Sequence, residues 1–409
     1  MKKILFTLLM MGAFLLPVPA QEKEYVILVH GGAGVMTALQ DHPEQRDMYY
    51  AALDSALQIG ERQMQLTGKG ADVVLAVINY FESNPLFNSG IGATVSAAGQ
   101  FELDACIMEG KDLSAGAVAG VKHIKHPINA AYAVKKLTPH VMLSGDGADQ
   151  FAAENGLETV NDNLYFATPK TMQWVEKFKE ESKKNGTVGC VVLDKDGNLT
   201  AGTSTGGMLG KKYGRIGDAP IIGSGTYADN AGCAVSCTGH GEYFIRHAVS
   251  SNLNFRVKFM KQPIDEAANE IIFQELNSEE GNGGLIAVDK EGNYTMPFNS
   301  GGMFRGVLYR EKNTGYLTEE VGIFKEVKKL IDEQSDLVGA FTRQRTVTKE
   351  DLNVFNEATK GYKEKLIPLS VGTQVVAGIN YLFICKRENG SKVSIKVFKP
   401  LKGKPRIIE

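Results

Sequence analysis

Two segments of the 409-residue chain share one pattern at an offset of 95 residues. In each, an apolar run leads into Asp-Lys-Xaa-Gly-Asn, beginning at Asp194 and at Asp289, and an extended stretch then ends in Gly-Gly-Met. A Gly-Asn turn between two such stretches predicts a β-hairpin. Helical patterns lie at about 44–66, 71–82 and 128–137. Two hairpins among helices predict layered sheets flanked by helices.

The strand predicted at Tyr25–His30 runs directly into Gly31-Gly-Ala-Gly34. A glycine-rich loop after a strand binds phosphate when Gly-Lys-Ser/Thr follows it or when its glycines have the dinucleotide-binding spacing. Neither condition holds here. We therefore expect a structural turn beneath the sheet at this position.

The first twenty residues have the form of a secretory signal. Lys2 and Lys3 precede an apolar run over Ile4–Leu16, and small residues lead to Gln21. A membrane-spanning helix needs about 20 apolar residues, more than this run provides. Removal of residues 1–20 would leave an exported protein, periplasmic or secreted, that is not attached to a membrane.

Charge divides the rest of the chain in two. Residues 336–409 contain 14 basic and 7 acidic residues, whereas residues 21–335 contain 29 basic and 40 acidic residues. This break predicts a boundary near Gln334, so we assign one domain to 21–330 and a second to 336–409. The net charge of −2 gives no indication of nucleic-acid binding. The five cysteines include no CxxC pair and do not form a disulfide framework pattern.

The densest group of glycines and threonines spans Gly186–Glu242. Within it, Gly202-Thr-Ser-Thr-Gly206 formally matches the GxSxG nucleophile elbow. That elbow requires a helix to begin directly after the turn. Because the glycine-rich run 206–214 is not a helix start, we exclude Ser204 as a serine-hydrolase nucleophile.

Thr187 is a better candidate for a nucleophile. It opens the apolar strand Val188–Leu193 directly after the polar, basic run Lys177–Asn185, which is typical of an exposed linker. Cleavage between Gly186 and Thr187 would give Thr187 a free α-amine. With a pKa of about 7.7–8.0, this amine could serve as base for the adjacent hydroxyl. Taken alone, these residues also fit an ordinary threonine at the start of a strand.

Further motifs occur in order over about residues 24–310. They are His30–Gly34, Pro85–Gly90, Glu102–Met108, Gly186–Gly189, Thr203–Gly207, Gly214–Asp218, Ser236–Glu242 and Pro297–Met303. Together they resemble the plant-type L-asparaginase/isoaspartyl peptidase family of N-terminal nucleophile hydrolases. The resemblance implies an α+β fold with four layers, αββα. It also implies self-cleavage into an α piece, 21–186, and a β piece from residue 187.

The resemblance implies catalytic roles for several residues around the cleavage site. Self-cleavage would occur between Gly186 and Thr187, after which Thr187 would be the nucleophile and, through its amine, the base. Thr205 would lie beside Thr187 and tune its hydroxyl, and Asn88 would orient the same region. The substrate would be L-asparagine or a β-aspartyl dipeptide, and catalysis would need no cofactor.

A second set of residues would bind the substrate. Arg215 would bind its α-carboxylate and Asp218 its α-ammonium, which suits a zwitterionic amino-acid head. Thr238 and Gly239 would donate hydrogen bonds to the oxyanion, and Gly241 would allow close approach. The alternative for Arg215 and Asp218 is a surface ion pair, a common fate of such a spacing.

The resemblance also implies a loop that binds a structural Na⁺ through backbone carbonyls. The residues of that loop are Phe81, Glu82, Asn84, Phe87, Ser89 and Ile91. A cation held by carbonyls leaves no side-chain pattern, so the sequence is compatible with the site without indicating it. The family further implies a dimer of αβ heterodimers.

Other candidate residues have ordinary explanations. His123 and His126 are three positions apart, but they lack an acidic partner and Pro127 follows them, so we expect a solvated turn rather than a metal site. Cys190 and Cys237 lie near catalytic positions, and buried thiols of this kind are common.

The basic C-terminal part has its own pattern. A helix is predicted over about Lys349–Leu366, with strands over Leu369–Val375, Ile379–Lys386 and Val393–Phe398. This order resembles the cystatin family, closest to its stefin branch, in which a sheet wraps one helix. The resemblance implies contact with a papain-like cysteine protease through Gly339, Gln374, Val375, Val376, Ala377 and Gly378.

Two features depart from the cystatin pattern. The chain ends at Glu409, so the last strand would be short or absent, and the single tryptophan, Trp174, lies outside the second loop. A cap on the hydrolase or a role in assembly is the alternative for this part. For the whole protein, one alternative is a glycosylasparaginase, although such enzymes usually have Asp where Gly186 stands. Another is a protease inhibitor on an inert hydrolase scaffold.

Overall fold

The computed structural model describes residues 22–34, 36, 38–169, 171–173, 186–334, 345–360, 366–376, 378–387, 392–400 and 404–407. Some positions discussed above lie outside the described residues: the predicted signal, the run Lys177–Asn185, Trp174, Gly339 and Ala377.

The described strands, in chain order, are β1 (Lys23–Gly34), β2 (Leu103–Glu109), β3 (Ser114–Val121), β4 (Met142–Ser144), β5 (Val188–Leu193), β6 (Leu199–Thr205), β7 (Thr226–Ala228), β8 (Cys233–Gly239), β9 (Gly283–Asp289), β10 (Tyr294–Thr295), β11 (Gly302–Glu311), β12 (Tyr316–Gly322), β13 (Val327–Gln334), β14 (Arg345–Thr346), β15 (Ile367–Val376), β16 (Gly378–Lys386), β17 (Lys392–Pro400) and β18 (Arg406–Ile407). The α-helices with both ends described are α1 (Ala38–Asp41), α2 (Pro43–Thr67), α3 (Gly70–Glu82), α4 (Pro127–Leu137), α5 (Gly145–Glu154), α6 (Gly241–Arg246), α7 (Val249–Phe255), α8 (Ile264–Glu270) and α9 (Lys349–Ala358).

These strands assemble into a nine-stranded, a four-stranded and a five-stranded sheet. The nine-stranded sheet has the order β13-β12-β11-β1-β5-β6-β2-β3-β4, and the four-stranded sheet has the order β10-β9-β8-β7. Neighbouring strands run antiparallel except β3 and β4. The nine-stranded sheet continues to Gln334, beyond the domain end expected at residue 330.

Three apolar cores hold these two sheets and their helices together. The first lies between α2–α5 and one face of the nine-stranded sheet, where Ile27 packs among helix residues such as Leu53. The second lies between the two sheets and includes Leu28. Since neighbours on a strand point to opposite faces, β1 is buried on both sides, which explains its continuous apolar run.

The third core lies on the far face of the four-stranded sheet. There Val235 of β8 and Leu285 of β9 pack with Leu253 of α7. Helices, nine-stranded sheet, four-stranded sheet and helices thus form four successive layers. Each fully buried side chain of this kind contributes roughly 1.5–3 kcal/mol.

Both predicted hairpins are present, but they belong to different sheets. β5 and β6 pair antiparallel in the nine-stranded sheet, and β9 and β10 pair in the four-stranded sheet. In the second hairpin the second strand, β10, has only two residues, and the Gly-Gly-Met motif that follows it leads into β11. The repeat therefore marks equivalent hairpins that face each other across the inter-sheet core.

The turn expected at Gly31–Gly34 is wrong. β1 continues to Gly34 and pairs with β11 along its length, with a bulge between His30 and Gly32. A Cβ on Gly31 would lie 2.3 Å from the Phe87 ring, so glycine is needed here for close packing of an extended strand.

The C-terminal part forms the five-stranded antiparallel sheet β14-β15-β16-β17-β18 with helix α9. Phe355 of α9 packs on Phe383 of β16 inside a separate core. Thr348 and Asp351 form a capping box at the start of α9. The last strand, expected to be short or absent, is the two-residue β18.

Candidate active site

Sheet pairing brings Thr187 and Thr205 together. β5 begins directly after Thr187, β6 ends at Thr205, and Val188 is opposite Ser204 in the ladder between them. Thr187 is 7% exposed, and its hydroxyl donates to Thr205 Oγ1 at 3.2 Å. Two hydroxyls that the sequence separates thus form one buried pair.

The carbonyl of Gly186, the residue before Thr187, accepts two side-chain hydrogen bonds. Asn88 Nδ2 donates to it at 2.5 Å and Thr205 Oγ1 at 2.9 Å. Asn88 is fixed in turn, because its Oδ1 accepts from Thr94 N and its Nδ2 also donates to Gly207 O. This carbonyl is therefore polarised by two oriented donors.

Arg215, Asp218 and Gly241 lie close together, as the resemblance implies. A Cβ on Gly241 would be 2.8 Å from both Arg215 Nη2 and Asp218 Oδ1, so only glycine leaves the space between the two charged groups open.

The partner of Arg215 is Glu242, a residue to which the sequence gave no role. Arg215 Nε and Nη2 donate to the two carboxylate oxygens of Glu242, both at 2.8 Å. This bidentate bond holds the pKa of Glu242 below its usual value. A surface ion pair between Arg215 and Asp218 is therefore not what the structure contains.

Asp218 is buried and has a free oxygen. It is 4% exposed, and its Oδ2 has no hydrogen-bond partner among the described residues. Burial raises the pKa of Asp218 to about 7, although the charge of Arg215 acts in the opposite direction. A buried carboxylate with an unused oxygen is suited to a cationic ligand.

Thr238 and Gly239 end β8, which faces β5 across the inter-sheet core. Thr238 Oγ1 accepts a hydrogen bond from Ala33 N at 3.1 Å, which leaves its own hydroxyl proton available for donation. Gly239 has φ 150°, and a Cβ there would lie 2.4 Å from Asn282 O. The described contacts do not join either residue to Thr187.

His30 is a further residue at the site that the sequence did not reveal. It is fully buried on β1, and its Nδ1 lies 2.9 Å from the carbonyl oxygen of Thr187. Burial lowers the pKa of His30 to about 3, so its imidazole is neutral. The glycines that follow it drew attention in the sequence, whereas the histidine itself carried no signal.

Glu82, in the predicted cation loop, has a buried side chain with several partners. Ser204 Oγ and Ile128 N donate to Glu82 Oε1 at 2.7 and 3.0 Å, and Ser89 Oγ lies 2.7 Å from Ser204 Oγ. His126 Nδ1 lies 3.3 Å from Glu82 Oε2. The solvated turn expected at His126 is thus wrong, because α3 supplies the acidic partner that the local sequence lacks.

The backbone of the same loop is tightly wound. A Cβ on Gly90 would lie 2.1 Å from the carbonyl oxygen of Glu82, and one on Gly92 would lie 2.7 Å from that of Pro85 and 2.8 Å from that of Phe87. Both glycines have left-handed φ angles. Glycine is therefore required at both positions, because the loop carbonyls lie too close for a side chain.

The described residues also bear on three other features: a metal site, a reactive cysteine and a membrane-spanning helix. They contain no cluster of three or more His, Cys, Asp or Glu side chains placed to hold a metal ion. Cys190 and Cys237 are buried and burial raises their pKa values, which disfavours the nucleophilic thiolate. No helix in these ranges combines the length and apolarity needed to cross a bilayer.

The predicted protease-contact residues lie at one hairpin of the C-terminal sheet. Gln374, Val375 and Val376 end β15, and Gly378 begins β16, which pairs with β15 up to the tip.

Comparison with known proteins gives matches over most of the chain. A family model described as asparaginase matches residues 23–318. The chain is 41% identical to an isoaspartyl peptidase of Salmonella typhimurium over 315 residues, which cover 74% of this chain and 99% of the relative. It is 40% identical to the isoaspartyl peptidase of Escherichia coli, covering 74% and 96%. It is 39% identical to the isoaspartyl peptidase/L-asparaginase of Rattus norvegicus, covering 68% and 84%.

Proposed function

The chain belongs to the asparaginase family of hydrolases, and we propose that it is a self-processed threonine hydrolase of isoaspartyl peptides and L-asparagine. The observation that carries the proposal is the Gly186 carbonyl, on which Asn88 and Thr205 converge. An ordinary threonine at the start of a strand does not require two side-chain donors on the preceding carbonyl.

In the self-cleavage step, Thr187 Oγ1 attacks the carbonyl carbon of Gly186. Its proton passes through the Thr205 hydroxyl to the carbonyl oxygen, which Asn88 also stabilises. The Gly186–Thr187 C–N bond then breaks as the proton on the former carbonyl oxygen passes to the nitrogen, so the ester carbonyl forms and the nitrogen leaves as an amine. Water hydrolyses the resulting ester to give the Gly186 carboxylate and a Thr187 with a free amine and hydroxyl.

The same hydroxyl then attacks the side-chain carbonyl of the substrate, with the new amine as base. Asp218 would bind the substrate ammonium through its free oxygen. Arg215 would bind the α-carboxylate in exchange for Glu242, since both ligands need the same fork of donors. Thr238 and Gly239 would donate to the oxyanion. The substrate C–N bond would then break, and the nitrogen would take the hydroxyl proton back from the Thr187 amine and leave as ammonia or as the amine of the second residue. Hydrolysis of the resulting aspartyl ester of Thr187 would release aspartate.

A denaturing gel and three substrates test this proposal. We expect two bands, one with Thr187 at its N-terminus, and release of aspartate from β-aspartyl-leucine and L-asparagine. Thr187→Ala should leave one band and no activity; a cleaved or active variant would contradict the assignment. Turnover of glycosylated asparagine alone would favour a glycosylasparaginase instead.

We also propose a structural Na⁺ in the loop 81–91. Hard cations take oxygen ligands, and the tight winding of the loop, in which Glu82 O lies against Gly90 and Phe87 O against Gly92, supports a carbonyl-lined site. It would be held by carbonyls of Phe81, Glu82, Asn84, Phe87, Ser89 and Ile91, and would only stiffen the loop that carries Asn88. Replacing Na⁺ by a bulky organic cation should lower the melting temperature; an unchanged value would count against the ion.

We further propose that residues 1–20 direct export and that two αβ units associate. N-terminal sequencing of protein from the cell envelope and the medium, with light scattering of the mature enzyme, tests both points. A retained Met1, or the mass of a single αβ unit, would overturn the corresponding proposal.

For the C-terminal part we propose a cystatin-like domain that binds a papain-like protease. The helix α9 against an antiparallel sheet supports this, as does the hairpin of β15 and β16. Inhibition of papain by the Thr187→Ala chain, lost when Gln374 and Val375 are both changed to Asp, would be the expected result. Absence of inhibition would favour a role in capping or assembly.

A further inference from the structure

A chain of polar side chains crosses the otherwise apolar core between the two sheets and ends at the nucleophile. His30 Nε2 lies 2.9 Å from Ser236 Oγ, and Ser236 Oγ lies 2.7 Å from Thr203 Oγ1. Thr226 Oγ1 lies 2.6 Å from Thr203 Oγ1. His30 and Thr203 belong to the nine-stranded sheet, whereas Ser236 and Thr226 belong to the four-stranded one.

The contacts of His30 determine its tautomer. The carbonyl of Thr187 can only accept, so Nδ1 must carry the proton that bridges their 2.9 Å separation. In a neutral imidazole Nε2 is then an acceptor, and Ser236 must donate to it. Thr203 then donates to Ser236 and Thr226 to Thr203, and the Ala219 carbonyl oxygen, 3.0 Å from Thr226 Oγ1, shares the single hydroxyl proton of Thr226.

Gly189 is required for this arrangement. A Cβ on Gly189 would lie 2.1 Å from Ser236 Oγ and 2.2 Å from His30 Nε2, inside the bond between them. The glycine two residues after Thr187 therefore provides the space in which the imidazole and the hydroxyl meet.

The His30 imidazole binds a main-chain group, the Thr187 carbonyl, that lies beyond the end of the β1–β5 ladder. The ladder between β1 and β5 ends with the pair of His30 and Gly189, short of Thr187. The bond from His30 Nδ1 extends this restraint to the Thr187 carbonyl. A held carbonyl restrains the rotation about the Cα–C bond of Thr187, and with it the positions of the amine and of Cβ, which carries the hydroxyl.

We propose that His30 is a positioning residue for the threonine nucleophile, with its Nδ1–H bound to the Thr187 carbonyl, its ring anchored at Nε2 by Ser236, Thr203 and Thr226, and its space provided by Gly189. The inference rests on the proposed role of Thr187. His30 transfers no proton to substrate; it fixes the main chain of the attacking residue from within the core.

Kinetics of the full chain test the proposal. We expect His30→Ala to slow both self-cleavage and kcat by about 10²-fold with KM nearly unchanged, because small misplacement of a reacting group has effects of this size. His30→Asn should recover part of the loss, since its Nδ2 takes the place of Nδ1. Ser236→Ala should cost about tenfold, because the imidazole then loses its anchor at Nε2.

Two further variants serve as controls: one removes a buried serine hydroxyl and the other replaces an exposed histidine. Ser250 is buried and its hydroxyl has no hydrogen-bond partner among the described residues, and His140 is exposed. Ser250→Ala and His140→Asn should keep the wild-type rates. Equal rates for His30→Ala, Ser236→Ala and the wild type would overturn the inference.

Nitrogen NMR of histidine-labelled Thr187→Ala protein reports the tautomer without any need for activity. The His30 imidazole, identified as the signal that is lost in His30→Asn, should be in the Nδ1–H form and keep it in Ser236→Ala, because the Thr187 carbonyl still accepts from Nδ1. His123, whose Nδ1 lies 3.0 Å from the Val160 carbonyl oxygen, should give a second Nδ1–H signal that is present in every variant. An Nε2–H form for His30 in the parent protein would overturn the inference while leaving the role of Thr187 intact. A wild-type chain that neither self-cleaves nor hydrolyses substrate would instead overturn the proposed function.

Discussion

At the scale of single residues, the carbonyl of Gly186 is the most informative group in the molecule. Asn88 and Thr205 reach it from different elements, one from the loop after α3 and one from the end of β6. The Asn88 donor is fixed before any reaction occurs, because hydrogen bonds to Thr94 and Gly207 hold its side-chain amide. Donors oriented in advance stabilise developing negative charge at little reorganisation cost.

Asn88→Ala should therefore slow self-cleavage of the purified precursor by about 10²–10³-fold, the usual cost of one oxyanion donor. A time course on denaturing gels measures the rate directly. Asn155→Ala, a change at an exposed asparagine, should cleave like the wild type. Wild-type cleavage by Asn88→Ala would show that its bond to Gly186 is only structural.

Asp218 predicts the pH dependence of substrate binding. Burial raises the pKa of Asp218 to about 7, so its carboxylate forms as the pH rises through this value. The substrate ammonium needs the charged form, and the proposed Thr187 base must be a neutral amine, so below about pH 7 each group should lower kcat/KM for L-asparagine about tenfold per pH unit, roughly a hundredfold together. A flat profile between pH 5 and 8 would exclude Asp218 as the ammonium ligand.

The same carboxyl should reduce stability at high pH. Its folded pKa is raised, so folding is favoured while the group is protonated, and this contribution is lost as the pH rises through about 7. Asp218→Asn in uncleaved Thr187→Ala protein should thus raise the free energy of unfolding by about 2–4 kcal/mol at pH 8 and change little at pH 4. Urea titrations at both pH values give the comparison; a larger gain at pH 4 would reverse the sign and contradict the argument.

At the scale of elements, Glu82 joins three of them. It ends α3, accepts from Ile128 in the first turn of α4, and accepts from Ser204 on β6, the neighbour of Thr205. Ser89, the neighbour of Asn88, lies against Ser204. One buried carboxylate thereby fixes the relative positions of the two segments that supply donors to Gly186.

Glu82→Ala should lower the free energy of unfolding by about 3–5 kcal/mol, because it leaves buried donors without a partner. Urea denaturation of the Thr187→Ala chain, in which self-cleavage does not interfere, provides the value. Glu158→Ala, which removes an exposed ion pair with Lys125, should leave the midpoint unchanged. Equal midpoints for both variants would show that Glu82 is not a structural tie.

At the scale of the whole molecule, the nine-stranded sheet interleaves the two pieces that self-cleavage would produce. β1 of the α piece lies between β11 and β5 of the β piece, and β6 of the β piece lies beside β2 of the α piece. Neither piece could complete this sheet alone, since each would expose unpaired strand edges at its centre.

The cleaved pieces should therefore co-elute in native size exclusion and separate only in denaturant. After dilution from denaturant the cleaved enzyme should regain under a tenth of its activity, roughly, because two chains must reassemble one sheet. Uncleaved Thr187→Ala protein should refold, as judged by circular dichroism. Separation of native pieces would contradict the interleaved order.

Local sequence is sufficient to predict several helices and one hairpin of this fold. The helices at 43–67, 70–82 and 127–137 and the hairpin of β5 and β6 match the predicted positions, because periodicity and turn residues act over short distances. The solvated turn predicted at His126 and the turn predicted at Gly31–Gly34 are both wrong. Their environments are provided by Glu82 and by Phe87, which lie far from them in the chain.

The sequence by itself indicated the proposed nucleophile, the proposed cleavage position and the groups proposed for a zwitterionic substrate, because the family resemblance is carried by residue types within short motifs. Only the tertiary structure decided which groups meet. His30 reaches Thr187 across 157 positions, and Glu242 occupies the donors of Arg215. Such contacts follow from the order of strands in a sheet, and strand order is set by how distant apolar faces are buried together rather than by any local pattern.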